Sequence, residues 1–271
     1  NIRNSELALP WALDERSFPK LKKLHIEGGK ADPALVREVC SIPSLRQVQL
    51  SCPTGQFSID DFRRLTTLPN LVDLSLVATS LPDQSCPLAD RQMKIRKLNV
   101  GRTGVGDQFL STISDFPNLR ELDLTAAKVT DGGLANLSEL AHLETLTLSE
   151  TDISSAGAKH FSQLQSLREL HLHNTQLDGQ AFVDIAKLKN LEWIDLSKSK
   201  VQGKHLLELR KLPKLRGIVL MNTPISASDL PYLRQLYHIN EIYVEDTELT
   251  SEEQIKLHEA LAKARNYRPS A

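Results

Sequence analysis

The residues best suited to chemistry in this sequence stand close together: Glu169, His171, His173 and Asp195. His171 and His173 are two positions apart, which on an extended strand puts both rings on one face about 6.5–7 Å apart. With Asp195 on a neighbouring strand, such a set can ligate Zn2+ or pair a histidine with a carboxylate for acid–base work. The surroundings argue against both. A sheet face open to water weakens the electrostatics that catalysis uses, and binding surfaces collect His and Asp for hydrogen bonding alone. No nucleophile elbow, phosphate-binding glycine loop, HExxH or dinucleotide fingerprint occurs. The expectation is therefore no catalytic residue, no metal ligand and no cofactor.

What positions these residues is a repeat. The pattern apolar-x-x-apolar-x-apolar opens with Leu21-Leu24-Ile26 and Leu45-Val48-Leu50. It runs on through Leu71-Leu74-Leu76, Leu119-Leu122-Leu124 and Leu167-Leu170-Leu172 to Ile239-Ile242-Val244. From residue 71 each copy begins 24 residues after the last (71, 95, 119, 143, 167, 191, 215, 239). The two earlier steps are 24 and 26 residues.

Each copy has the same second half. A Thr or Ser usually follows the pattern by three residues, as at Thr79, Thr151 and Ser199, with Ala127 the exception. An apolar residue comes two later, then apolar positions three apart, as in Leu134-Leu137-Leu140 and Phe182-Ile185-Leu188. One unit thus reads strand, turn, short helix, return. So small a unit cannot bury its leucines alone, and stacked copies must share one core.

The segment Val129-Thr130-Asp131-Gly132-Gly133-Leu134 resembles the "VTDxGL" leucine-rich repeats abundant in bacterial proteins, themselves similar to the cysteine-containing repeats of F-box adaptors. The resemblance implies an α/β leucine-rich-repeat solenoid, with a curved parallel sheet on the concave face and short helices on the convex face. It specifies a fold and not a ligand. Thr stands where the adaptor repeats carry Cys or Asn, and is expected to hydrogen-bond backbone groups of the next turn. Residues 7 to 21 do not resemble an F-box, so no ubiquitin-ligase role is implied.

The expected organisation is one domain over residues 1–271: a cap over 1–20, ten repeats over 21–250, and a capping helix with tail over 251–271. Leu7, Leu9, Trp11, Leu13 and Phe18 supply the first cap. Ser251-Glu252-Glu253-Gln254 reads as a capping-box start, with Ile255, Leu257 and Leu261 as the apolar side of the last helix. Pro82 and Pro87 predict an irregular loop over Leu81 to Lys94 instead of a helix.

The net charge of -1 argues against a dedicated nucleic-acid binder. No apolar run of about 18 residues occurs, so no membrane span is expected. The chain opens at Asn1 rather than Met, as in a trimmed or processed product, and the compartment stays open. The cysteines Cys40, Cys52 and Cys86 make no CxxC spacing; buried thiols are expected, with a Cys52–Cys86 bridge as the alternative.

Residues flanking the central leucine of each strand should face a partner. In repeats seven to ten this row presents Glu169, His171, His173, Trp193, Asp195, Val219, Met221 and Tyr243, an interface-like mixture of aromatics, Met and charge. Gly217, beside Trp193, would leave room for an inserted group. Arg120, Glu144, Arg168, Glu192 and Arg216 alternate in sign at one repeat position and should pair across strands. The lysines between Lys187 and Lys214 read as a solvated outer face. Two classes follow: a monomeric, non-enzymatic scaffold for a protein or peptide, or a metal-, small-ligand- or carbohydrate-binding surface on the same face.

Overall fold

A computed structural model describes residues 2–3, 18–88 and 94–266. The expected N-terminal cap residues 7 to 13 lie outside these residues, as do Ala89 and Gln92 of the irregular repeat. By internal packing the chain divides into two compact units, Asn1–Leu143 and Glu144–Ala271.

In the first unit, strands Lys23–Glu27, Gln47–Ser51, Asp73–Ser75, Lys97–Asn99 and Glu121–Asp123 follow one another in a parallel sheet. A two-residue strand, Ile2–Arg3, pairs parallel with Lys23–Glu27 ahead of them, which the repeat pattern did not indicate. The second unit has strands Thr145–Thr147, Glu169–His171, Trp193–Asp195, Gly217–Val219 and Glu241–Tyr243, again parallel and in chain order. Register is uniform: Leu146, Leu170, Ile194, Ile218 and Ile242 pair in sequence. Burial explains it, since these central residues are all buried and a slip by one residue would turn them to water.

The returning segments are helical but short. Two α-helices, Pro33–Cys40 and Ile59–Thr66, serve the first repeats. Later repeats rely largely on 3-10 turns, such as Gly133–Glu139, Ala158–Gln163 and Gly203–Lys211. The apolar spacing of three explains this choice, because a 3-10 helix has three residues per turn and aligns such positions. Residues 81–88 and Lys94 form no helix, as the prolines predict. Phenylalanines add to the core of the first unit, where Phe62 meets Phe109 and Phe116 edge-on at ring distances of 5.1 and 6.3 Å.

From strand Asp73–Ser75 onward, the chain leaves each strand through a residue in the left-handed region. Ala78, Arg102, Ala126, Glu150, Asn174, Lys198, Asn222 and Asp246 have φ between 52° and 60°. None is glycine, and for most of these types the conformation costs about 1–2 kcal/mol. Neighbouring repeats hold it in place: Glu150, Asn174 and Lys198 donate backbone N–H bonds of 2.8–2.9 Å to His173, Ser197 and Met221 of the following repeat.

This turn also corrects the expected role of the Thr position. Thr103, Thr151, Thr175, Ser199, Thr223 and Thr247 each donate their hydroxyl to the carbonyl three residues back in their own repeat, at 2.5–2.8 Å. The left-handed residue folds the chain back, bringing the carbonyl just past the strand within reach. Thr79 alone reaches another repeat, donating to the Leu50 carbonyl at 3.2 Å.

Carboxylates do join repeats. Asp107 accepts from the backbone N–H and the hydroxyl of Thr130 at 2.9 and 2.6 Å. A Cβ on Gly133 would fall 2.2 Å from the Asp107 carboxylate, which accounts for glycine at that place in the repeat. Asp83 likewise accepts from the N–H groups of Gly106 and Phe109, both at 2.8 Å.

Helix Ser251–Asn266 follows the last strand. Its capping box begins one residue earlier than expected: Thr250 and Glu253 exchange backbone-to-side-chain bonds of 2.8 and 3.3 Å. Only this spacing lets the Glu reach back three positions to the cap. Leu257 and Leu261 are buried, whereas Ile255 is exposed, contrary to expectation, because it falls off their stripe. His258 Nε2 donates to the Ile242 carbonyl at 2.9 Å and ties the helix to the final strand.

Cys40, Cys52 and Cys86 are free thiols. Burial, with Asp32 nearby, pushes the Cys52 thiol up to about 11.

Candidate interaction site

The second unit brings the sequence-predicted residues into three rows. Glu169, Trp193, Gly217 and Glu241 stand in register across four strands. Beside them run His171, Asp195, Val219 and Tyr243. Backbone bonds continue past the strands, from Asn174 to Ser197 and from Lys198 to Met221, and so align His173 and Met221 in the third row. The residues between the first two rows (Leu170, Ile194, Ile218, Ile242) are buried, so both rows share the open face.

Trp193 is half-buried, and the cause is Gly217. A Cβ at Gly217 would lie 2.2 Å from Cε3 and Cζ3 of the indole. The ring thus occupies the space that a side chain on the next strand would fill. This overturns the expectation that Gly217 leaves room for an inserted group: Trp193 itself takes that room. The indole lies 6.0 Å from the Tyr243 ring, tilted by 51°. Tyr243 is 37% exposed, and its hydroxyl donates to Glu241 at 2.9 Å, a bond that raises the phenol's pKa.

Around the indole is an open depression of about 410 Å3, lined by Glu169, His171, Glu192, Trp193, Arg216 and Glu241. Glu169, His171 and Trp193 are the residues that the sequence assigns to this surface, and Glu241 shares their face because it flanks the central Ile242 of its strand. The sequence marks Glu192 and Arg216 only as members of a charge ladder. That ladder exists in this unit: Arg168 Nη2 is 2.6 Å from Glu192 Oε1, and Arg216 holds the other carboxylate oxygen. Both guanidinium groups keep the Glu192 carboxyl below its ordinary pKa, Arg168 contributing most. The signal that places Glu192 and Arg216 here is position, because each immediately precedes a strand whose first residue is in the site. His173, Asp195, Val219, Met221 and Tyr243 do not line the depression.

Asp195 is spent on its own turn. Its Oδ1 accepts from the backbone N–H and the hydroxyl of Ser197, at 2.9 and 2.6 Å. Asp123 makes the same pair of bonds to Thr125 in the first unit, which marks the arrangement as a property of the repeat. His171 instead approaches Glu169, with Nε2 3.7 Å from Oε2. Among the described residues no three His, Cys, Asp or Glu side chains are grouped to hold a metal ion.

The outer lysines are tied down locally. Lys187 meets Asp184, Lys211 meets Glu208 and Lys214 meets Asn190, at 2.6–2.7 Å. Among the described residues no helix is long and apolar enough to cross a membrane.

Residues 117–177 match the leucine rich repeat family model. Among curated proteins none matches the chain. Among solved structures, an internalin C2 from Listeria monocytogenes is similar with a TM-score of 0.59 and 22% identity, covering 79% of this chain and 84% of the other. The plant peptide hormone receptor RGFR1, in complex with RGF2, gives 0.54 and 17%, covering 85% of this chain and 36% of the receptor chain. At these identities the likeness bears on the fold, and it agrees with the 24-residue repeat and the parallel strands: the chain has the leucine-rich-repeat fold.

Proposed function

We propose that this protein is a non-enzymatic scaffold that binds a protein or peptide partner through the open strand face of its second unit, with Trp193 as the anchor. The observation that carries the reading is the Trp193 depression. An indole held in one position by Gly217 and flanked by Tyr243 offers rigid apolar area at low entropic cost. Glu169 and Glu241 form a polar rim around it. His171, His173, Asp195, Val219 and Met221 would extend the contact surface along the neighbouring rows. The partner's rim groups should be cationic, since the Arg216 charge is already engaged by Glu192. A plant peptide hormone receptor in complex with RGF2 has a similar fold, which supports a binding role for this one.

The test is to recover binding partners from the native source with wild-type and Trp193→Ala baits. A protein retained by wild type and lost by the variant supports the reading. Partners held equally by both would remove Trp193 from it.

A further inference from the structure

The first unit carries a second depression of a different character. It measures about 620 Å3, and among the described residues its charged lining is Lys22, Arg46, Lys94 and Arg96, with no carboxylate. Lys22, Arg46, Val72 and Arg96 occupy the repeat position that alternates in sign at Arg168, Glu192 and Arg216 of the second unit. There each cation is neutralised across the strands. Here the intervening residue is Val72, and like charges are left side by side. The nearest carboxylate in sequence, Asp73, lines another depression and accepts from Gln47 Nε2 at 3.2 Å.

We propose that this row binds an extended acidic segment of a partner protein. Spacing supports that occupant. Lys22 and Arg46 are one strand apart and Arg46 and Arg96 two strands apart, so the row spans roughly 14 Å. An extended peptide sets alternate side chains about 6.7 Å apart, so three carboxylates at every second position span nearly the same length. The donors also fit. Dedicated phosphate sites use free backbone N–H groups. In this row the N–H groups of Arg46, Val72 and Arg96 donate to Lys22, Arg46 and Val72 carbonyls at 2.8–2.9 Å. Ser44 and Asn70 are likewise spent on the Leu21 and Pro43 carbonyls. Lys94 also donates to the Pro69 carbonyl; what the site presents is the Arg46 and Arg96 guanidiniums and the Lys22 ammonium, which match carboxylates, Arg in the bidentate mode. Among the described residues no aromatic side chain lines it on which a base or sugar could stack.

The test uses the whole chain and a fluorescein-labelled twelve-residue peptide of alternating glutamate and serine, followed by anisotropy. Wild type should bind it, with affinity falling as salt rises. Arg46→Gln combined with Arg96→Gln should weaken binding at least tenfold, while Lys204→Gln in the second unit leaves it unchanged. Both altered side chains are exposed, and a thermal melt checks that the fold is kept; Arg46→Lys with Arg96→Lys, which retains charge and loses the fork, should give an intermediate loss. Equal binding by wild type and the Gln variant overturns the proposal. So does a sulfated glycan that needs these arginines when the peptide does not bind. The proposal does not depend on the Trp193 surface, and Trp193→Ala should bind the acidic peptide as wild type does.

Discussion

Trp193 lies over Gly217, filling the volume that a Cβ at Gly217 would occupy; that Cβ would sit 2.2 Å from two ring carbons. The position and orientation of the site's main apolar surface therefore depend on a missing side chain one strand away. Gly217→Ala should displace the indole. The expected outcome is a loss of about 1–3 kcal/mol from overpacking, with a shift in the Trp193 emission measured in a Trp11→Phe background. Unchanged emission and stability would show that the ring has room to spare.

This relationship marks the limit of what could be read from sequence. The 24-residue period and the inward leucines were legible, because each repeat must bury the same positions against its neighbours. From sequence Gly217 reads as a vacancy, because its occupant comes from a residue 24 positions earlier and only the ring's direction reveals the contact. The left-handed turns were invisible for a related reason. Asn174, Asn222 and Asp246 suit that conformation, but Ala78, Arg102 and Lys198 do not announce it, and the flanking interrepeat hydrogen bonds impose it. The site's rim was half legible: Glu169 and Glu241 follow from strand alternation, whereas Glu192 and Arg216 precede their strands and fall outside that rule.

The turns make a second prediction. Lys198 has a φ of 55° and an exposed side chain, so Lys198→Gly should relieve strain. Set against the added freedom of the unfolded chain, the net gain should be about 0.5 kcal/mol. Lys198→Val should instead lose more than about 1 kcal/mol, since branching at Cβ worsens the left-handed clash. Urea melts of the two variants check this, and equal midpoints would contradict it.

The ladder makes a third. Glu192 bridges Arg168 and Arg216, and its carboxyl titrates below the ordinary glutamate value of 4.5. A lowered folded-state pKa stabilises the protein above the unfolded value, and that stability disappears as pH falls through the folded value. Glu192→Gln should therefore cost about 1 kcal/mol at pH 7. The gap between wild type and variant should close as pH drops below 4.5. A gap of constant size down to pH 2 would mean that the charge is not its source. High salt should narrow the gap at pH 7, as expected for side chains this exposed.

The central claim is that Trp193 anchors a protein partner, and the most direct measurement is a calorimetric titration of that partner into wild type and Trp193→Ala. The account predicts a loss of at least about 2 kcal/mol of binding free energy, roughly 30-fold in Kd, with both proteins folded at the titration temperature. Equal affinity for the two proteins would contradict it.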